Sequence, residues 1–182
     1  MSSSKREAKP TADVLSLAVR YTRARVRSVH EVSSYLQRRG VSRETATRVV
    51  TACQARGLVD DRACACLWAD HWARRGYAWA AIRLKLSAKG LEDEAIDHAA
   101  NGLEGASDDA ARARLVAETY LSRRHVSPDR RARRLSRSMA PHVAGGLART
   151  LAARGFDADL IERILNESLR IHFAARNVSD ES

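Results

Sequence analysis

The sequence predicts an all-α protein built from three tandem three-helix modules, and three observations predict it. Apolar residues make up 45% of the chain, yet Phe, Trp and Tyr together make up only 5%. Ala, Leu and Arg are good helix formers, whereas β-branched and aromatic residues favour strands. Apolar residues recur at helical spacing, with no convincing run of strict alternation. Finally, one segment occurs three times without gaps: LQRRGVSRETATRVVTAC (36–53), LSAKGLEDEAIDHAANGL (86–103) and LAARGFDADLIERILNES (151–168).

Each copy has Leu, two variable residues, a base, Gly and an apolar residue. These are Leu36, Arg39, Gly40 and Val41; Leu86, Lys89, Gly90 and Leu91; and Leu151, Arg154, Gly155 and Phe156. Six, nine and ten positions beyond the Gly stand Ala46, Val49 and Val50; Ile96, Ala99 and Ala100; and Ile161, Ile164 and Leu165. This pattern reads as helix, tight turn, helix. The Gly lies just past a helix end, where a left-handed residue closes the last turn. The base before it faces the negative end of the helix dipole. Ser42, Glu92 or Asp157 then starts the next helix, with Glu92 the poorest cap of the three.

Such a pair cannot bury its apolar stripe alone, so a third helix must precede it. In the first module that helix spans about 13–26, and Ser28-Val29-His30-Glu31 forms a capping box for the next. In the second it spans about 61–75, with Ala65, Trp68, Ala69 and Trp72 on one face and Gly76 at its end. In the third it spans about 108–124, with Leu115 and Tyr120 among its apolar positions. The modules are placed at 13–59, 60–105 and 106–172, between a disordered tail at 1–12 and a frayed tail at 173–182. The repeat glycines are 50 and then 65 residues apart, so the third module holds a basic insertion at 125–142, expected to add one short helix.

The net charge is +10, which favours polyanions or acidic protein surfaces. It is uneven: +7 over 1–60, −1 over 61–104 and +4 over 105–182. Three cysteines without CxxC spacing (Cys53, Cys64, Cys66) give no disulfide framework or zinc site, which fits a reducing cytoplasm. No apolar h-region or membrane-length run is present. No nucleotide, hydrolase or metalloprotease motif occurs, and the six His residues make no ligand pair. The expectation is a protein that is not an enzyme and has no cofactor, metal site or catalytic residue. Asp60 and Asp61 are read as helix caps, and Cys64 and Cys66 as small apolar groups. Trp68 and Trp72 are read as core rather than a stacking platform.

Candidate contact residues are basic. Arg38, Arg39, Arg56, Arg74, Arg75, Lys89 and Arg154 fall at helix C-termini, where the dipole alone would place them. Arg83 and Lys85 stand on the middle module's second helix. Two clusters exceed what dipoles need: Arg20, Arg23, Arg25 and Arg27; and Arg123, Arg124, Arg130, Arg131, Arg133, Arg134 and Arg137. A merely soluble surface mixes signs, so both are expected to meet a polyanion. The four arginines of the first cluster are expected to be removable without unfolding. No base-reading pattern is evident, so DNA contact would go to phosphates and be weak and salt-dependent. A general DNA-binding helical protein is the alternative reading.

Arg27-Ser28-x-x-Glu31-Val32, Leu36-x-x-Arg39-Gly40-Val41, Gly57-Leu58-Val59-Asp60-Asp61, Arg74-Arg75-Gly76, Leu86-x-x-Lys89-Gly90-Leu91 and Arg154-Gly155-Phe156 follow in that order. This set resembles the RecX family over about residues 13–168. Cys64 departs from it, standing where a large aromatic is usual, and Trp72 stands where Arg is frequent. The resemblance implies an elongated, curved row of three three-helix modules. It also implies a regulator of the RecA recombinase, binding in the groove of the RecA–DNA filament as a monomer. Inhibition of strand exchange, ATP hydrolysis and co-protease activity would follow, and with it modulation of DNA repair and the SOS response.

Overall fold

The computed structural model describes residues 11–102, 108–123 and 130–178, with side chains over 12–102, 108–123 and 141–168. Nine helices follow one another among the described residues, and no strand occurs there. They are α1 (Thr11–Thr22), α2 (Val29–Arg38), α3 (Arg43–Ala55), α4 (Asp61–Arg74), α5 (Trp79–Ser87), α6 (Asp93–Gly102), α7 (Asp109–Ser122), α8 (Arg130–Ala152) and α9 (Ala158–Val178).

Five turns share one geometry. The N–H of Gly40 bonds the carbonyl of Gln37, and that of Val41 the carbonyl of Leu36. The same pair of bonds recurs at Gly57, Gly76, Gly90 and Gly155. All five glycines have positive φ, from +66° to +84°, and each follows Arg or Lys. This is the Schellman stop, in which a left-handed Gly lets two late N–H groups satisfy two orphan carbonyls. The residue after the Gly packs back as expected: Val41, Leu91 and Phe156 are all buried. At the helix starts, Ser28 makes a full capping box with Glu31, and Ser42 accepts from the N–H of Thr45. Asp157 accepts from the N–H of Leu160.

The helices pack as two compact units. The first holds the described residues up to Asp70 together with Arg83–Gly102, and the second holds His71–Ile82 and the described residues from Asp108 onward. The unit borders fall inside α4 and α5. In the first unit α1, α2 and α3 enclose Val14, Ala18, Val32, Leu36, Ala46, Val49, Val50 and Cys53. In the second, Ala78 with α7, α8 and α9 encloses Ala113, Val116, Ala117, Leu147, Leu151, Phe156, Leu160 and Ile164.

The structure departs from the sequence expectations at several points. Helix α1 stops at Thr22, so Arg23, Arg25 and Arg27 lie in the connection that follows. Residues 130–142 form the start of α8 rather than a separate short helix, because helix-favouring Arg, Ala and Leu carry through Pro141. The rest of the insertion, 125–129, lies outside the described residues. Helix α9 continues through 173–178, where Ala174 and Ala175 sustain it, instead of fraying. Leu115, one of the apolar positions of α7, is 59% exposed. Trp68 and Trp72 are half-buried at the edge of the α4 apolar face, while Ala65 and Ala69 fill the interior.

Candidate functional site

Successive three-helix groups are joined by shared helix ends. Asp60 caps its own helix, accepting from the N–H groups of Arg62 and Ala63 at 2.9 and 3.1 Å. Asp61 reaches across instead and accepts from the N–H of Val29, the first residue of α2, at 2.8 Å. The arrangement recurs in the second unit. Asp108 accepts from the N–H of Ala111 at 2.7 Å, and Asp109 from that of Trp79, the first residue of α5, at 2.9 Å. The carbonyl just before the glycine turn that ends the following second helix is used similarly. Ser28 Oγ donates to the carbonyl of Lys89 at 3.1 Å, and the N–H of Ala78 to that of Arg154 at 2.9 Å. Without these bonds the partly buried starts of α2 and α5 would leave polar groups without protein partners.

Glu31 is the centre of the junction in the first unit. It accepts from Arg25 at 2.6 and 3.3 Å and from the N–H of Ser28 at 3.2 Å. Lys89 Nζ stands 3.7 Å away and Arg27 3.9 Å away. The indole of Trp68 closes the cluster, with Lys89 Nζ 3.9 Å and Arg25 5.2 Å from its ring centre. Burial works against the Glu31 charge, but Arg25, the Ser28 N–H and Lys89 outweigh it and hold the carboxyl below its ordinary range. Asp61 is pushed up instead, first by burial and then by Asp60, Glu92 and Glu31, against the bond from Val29.

Arg25 and Arg27 are thereby committed to partners within the protein, and Arg27 also stacks on Tyr21 at 4.1 Å. The expectation that Arg20, Arg23, Arg25 and Arg27 could be removed together without unfolding the protein does not suit this geometry, since Arg25 and Arg27 hold Glu31. Arg20 and Arg23 are exposed. Arg38 and Arg39 are exposed too, Arg39 over the ring of Tyr35 at 5.1 Å. Arg83 pairs with Asp97 at 2.8 Å and Asp93 at 2.9 Å, and Lys85 is half-buried on the same helix. The side chains of Arg124, Arg130, Arg131, Arg133, Arg134 and Arg137 lie outside the described residues.

The second unit holds an open groove of about 450 Å³. Arg74 and Arg75 from the end of α4, Arg123 from the end of α7 and Arg154 from the end of α8 border it. Leu115, Val116, Thr119, Tyr120 and Thr150 form its floor and walls, and among the described residues no acidic side chain lines it. Gly76 makes room for it: a Cβ there would stand 2.8 Å from the Arg154 guanidinium and 2.4 Å from Val116. The sequence points to the arginines but not to their convergence. The available signal was the Asp-Asp pair, which recurs as Asp60-Asp61 and Asp108-Asp109 with one carboxylate more than a single helix start needs.

The cysteines carry no such arrangement. Cys53 and Cys64 are buried and Cys66 is half-buried. Burial first, then Glu31 and Asp61, pushes the Cys64 thiol up to about 11. Thiol labelling of the native protein at pH 8 should therefore modify Cys66 first and leave Cys64 unlabelled until the chain unfolds. Mass spectrometry of the partly labelled protein reads this, and early modification of Cys64 would contradict its burial.

The architecture defines the class: an all-helical protein of tandem, end-capped three-helix modules. Residues 60–99 match the family model described as RecX, second three-helix domain. Regulatory protein RecX of Mycobacterium ulcerans (strain Agy99) is 32% identical over 145 residues, covering 79% of this chain and 83% of that protein. Regulatory protein RecX of Thermobifida fusca (strain YX) is 30% identical over 163 residues, covering 89% and 80%. The crystal structure of RecX from Lactobacillus salivarius has the same fold, with a TM-score of 0.66 at 18% identity over 87% of this chain and 96% of that one. The chain belongs to the RecX family.

Proposed function

We propose that this chain binds the RecA–DNA filament and restrains it, lowering strand exchange, ATP hydrolysis and co-protease activity and so tuning DNA repair and the SOS response. The carrying observation is the match, over most of both chains, to relatives named regulatory protein RecX. Exposed cations supply the contacts: Arg20 in the last turn of α1 and Arg23 just after it, and Arg38 at the end of α2 with Arg39 just after it. Several weak contacts to successive protomers of a filament add through effective concentration. Contacts to phosphates in the groove would add affinity that falls with salt. The protein acts as a monomer in the reducing cytoplasm, without cofactor or catalytic step.

The test is the ATPase rate of the host RecA on single-stranded DNA, titrated with this protein. The expected result is inhibition at amounts well below those that cover the DNA. Arg20→Glu with Arg23→Glu should raise the amount required by about tenfold, since each exposed pairing lost is worth somewhat under 1 kcal/mol. Both residues lie away from the Glu31 cluster, so the fold stays intact. Inhibition only at DNA-saturating amounts would replace the filament reading with plain DNA binding, and no inhibition would remove it.

A further inference from the structure

The two units contain the same junction, and the second copy lacks what closes the first. Ser28 and Ala78 are equivalent, each preceding a second helix and each bonded to the carbonyl of Lys89 or Arg154. Three residues before them stand Arg25 and Arg75. Three residues after them stand Glu31 and Ala81. Eight residues beyond the capping Asp60 and Asp108 stand Trp68 and Val116. The first junction thus holds Arg25 and Lys89 on the Glu31 carboxylate, with Arg27 3.9 Å from it, and is covered by the Trp68 indole. The second keeps both cations, as Arg75 and Arg154, but has a methyl group in place of the carboxylate and a smaller side chain in place of the indole. Arg75 meets His71 at 3.3 Å instead. Arg75, Arg154 and Val116 line the arginine-bordered groove, and Ala81 packs against the Gly155 turn that follows Arg154.

We propose that this groove binds an acidic peptide segment carrying one large apolar side chain. The first junction specifies that occupant: the peptide supplies the carboxylate that Ala81 lacks and the apolar bulk that Val116 lacks. Guanidinium groups engage carboxylates through paired N–H donors, and Arg123 and Arg74 extend that capacity along the rim. The exposed Leu115 beside Val116 provides apolar floor. Single-stranded nucleic acid fits less well, because its general binding sites stack bases on exposed aromatic faces along a basic track. Among the described residues the groove has one aromatic, Tyr120, and it is half-buried. The inference does not depend on the filament reading, and its test contains no recombinase.

The probe is a short fluorescein-labelled peptide of Asp and Glu around one Trp, titrated with the full chain and followed by anisotropy. Two comparison probes are the same peptide with Gly for Trp and an oligothymidylate of matching length. The Trp peptide should bind about tenfold tighter than either, the gap expected when one apolar anchor is worth somewhat over 1 kcal/mol. Ala81→Glu supplies the carboxylate from within and should weaken the Trp peptide about tenfold, leaving helical content unchanged. Should that variant lose its fold, Arg123→Glu, at an exposed helix end, should produce the same loss. Equal binding of the Trp and Gly peptides, tighter binding of the oligothymidylate, or full binding by the folded Ala81→Glu or Arg123→Glu variant would each overturn the proposal.

Discussion

Replacing Gly155 with Ala should destabilise the second unit by about 3 kcal/mol, while the same change at Gly40 should cost about 1 kcal/mol. Both glycines sit in the left-handed region, at φ +84° and +83°, so the backbone strain of adding a side chain is the same. That strain is worth roughly 1–2 kcal/mol, partly offset by the lower entropy of the unfolded chain. Their surroundings differ. A Cβ on Gly40 meets nothing within 4 Å, whereas one on Gly155 would stand 2.6 Å from the Cβ of Ala81. The Ala81 Cβ cannot turn away by changing rotamer, so the helix start itself must shift. Gly90 is a third case, where the Cβ would meet the His30 ring at 2.3 Å. Urea unfolding of the Ala variants should give midpoints in the order Gly40 highest, then Gly90 and Gly155. Equal midpoints would mean that the α8 turn does not press on the start of α5.

Glu31→Gln should cost about 2 kcal/mol near neutral pH, the usual scale for removing one partner from a charged, partly buried hydrogen-bonded cluster. Gln keeps the shape and the bond from the Ser28 N–H, but leaves Arg25 and Lys89 beside each other without their counter-charge. The pH dependence follows from the direction of the Glu31 shift. Its carboxyl titrates lower in the folded protein than in the unfolded chain, so its contribution is fully present above the unfolded value. The contribution disappears as pH falls from the unfolded value through the folded one. Asp61 titrates higher when folded, so it opposes this trend and costs stability as it ionises. The difference in unfolding free energy between the parent and Glu31→Gln should therefore shrink steadily below pH 5. A difference that persists at pH 3 would show that packing, not charge, holds the cluster.

The parts of the fold that were legible in the sequence are those decided within one turn of helix. Gly40, Gly90 and Gly155 stop helices through bonds that span five residues, and Ser28, Ser42 and Asp157 start them through bonds that span three. Gly57 makes the same stop but stands outside the threefold repeat, so the alignment passed it over. What stayed hidden depends on residues far apart in the chain. Asp61 looked like a cap for α4 and is one for α2, thirty-two residues earlier. Arg25 and Arg27 looked like surface charge because nothing local reveals that Glu31, Lys89 and Trp68 gather around them. The apolar Leu115 of α7 is exposed, while the small residues Ala113 and Ala117 are buried. The arginine groove was invisible for the same reason, since its four cations come from the ends of three helices.

The borrowed caps at Asp61 and Asp109 also decide how this protein can be taken apart. A fragment ended at residue 59 would keep α1, α2 and α3 but lose Asp61, stranding the N–H of Val29 at a helix start designed to meet a neighbour. It would also lose the Lys89 carbonyl to which Ser28 donates. A fragment ended before Asp108 would do the same to Trp79 and Ala78. The piece that recurs in the sequence is therefore not a piece that is finished by itself. Each module is completed by the first turn of the next, as a sentence is completed by a word that belongs to the following line, and gene surgery at the repeat borders would sever that grammar first.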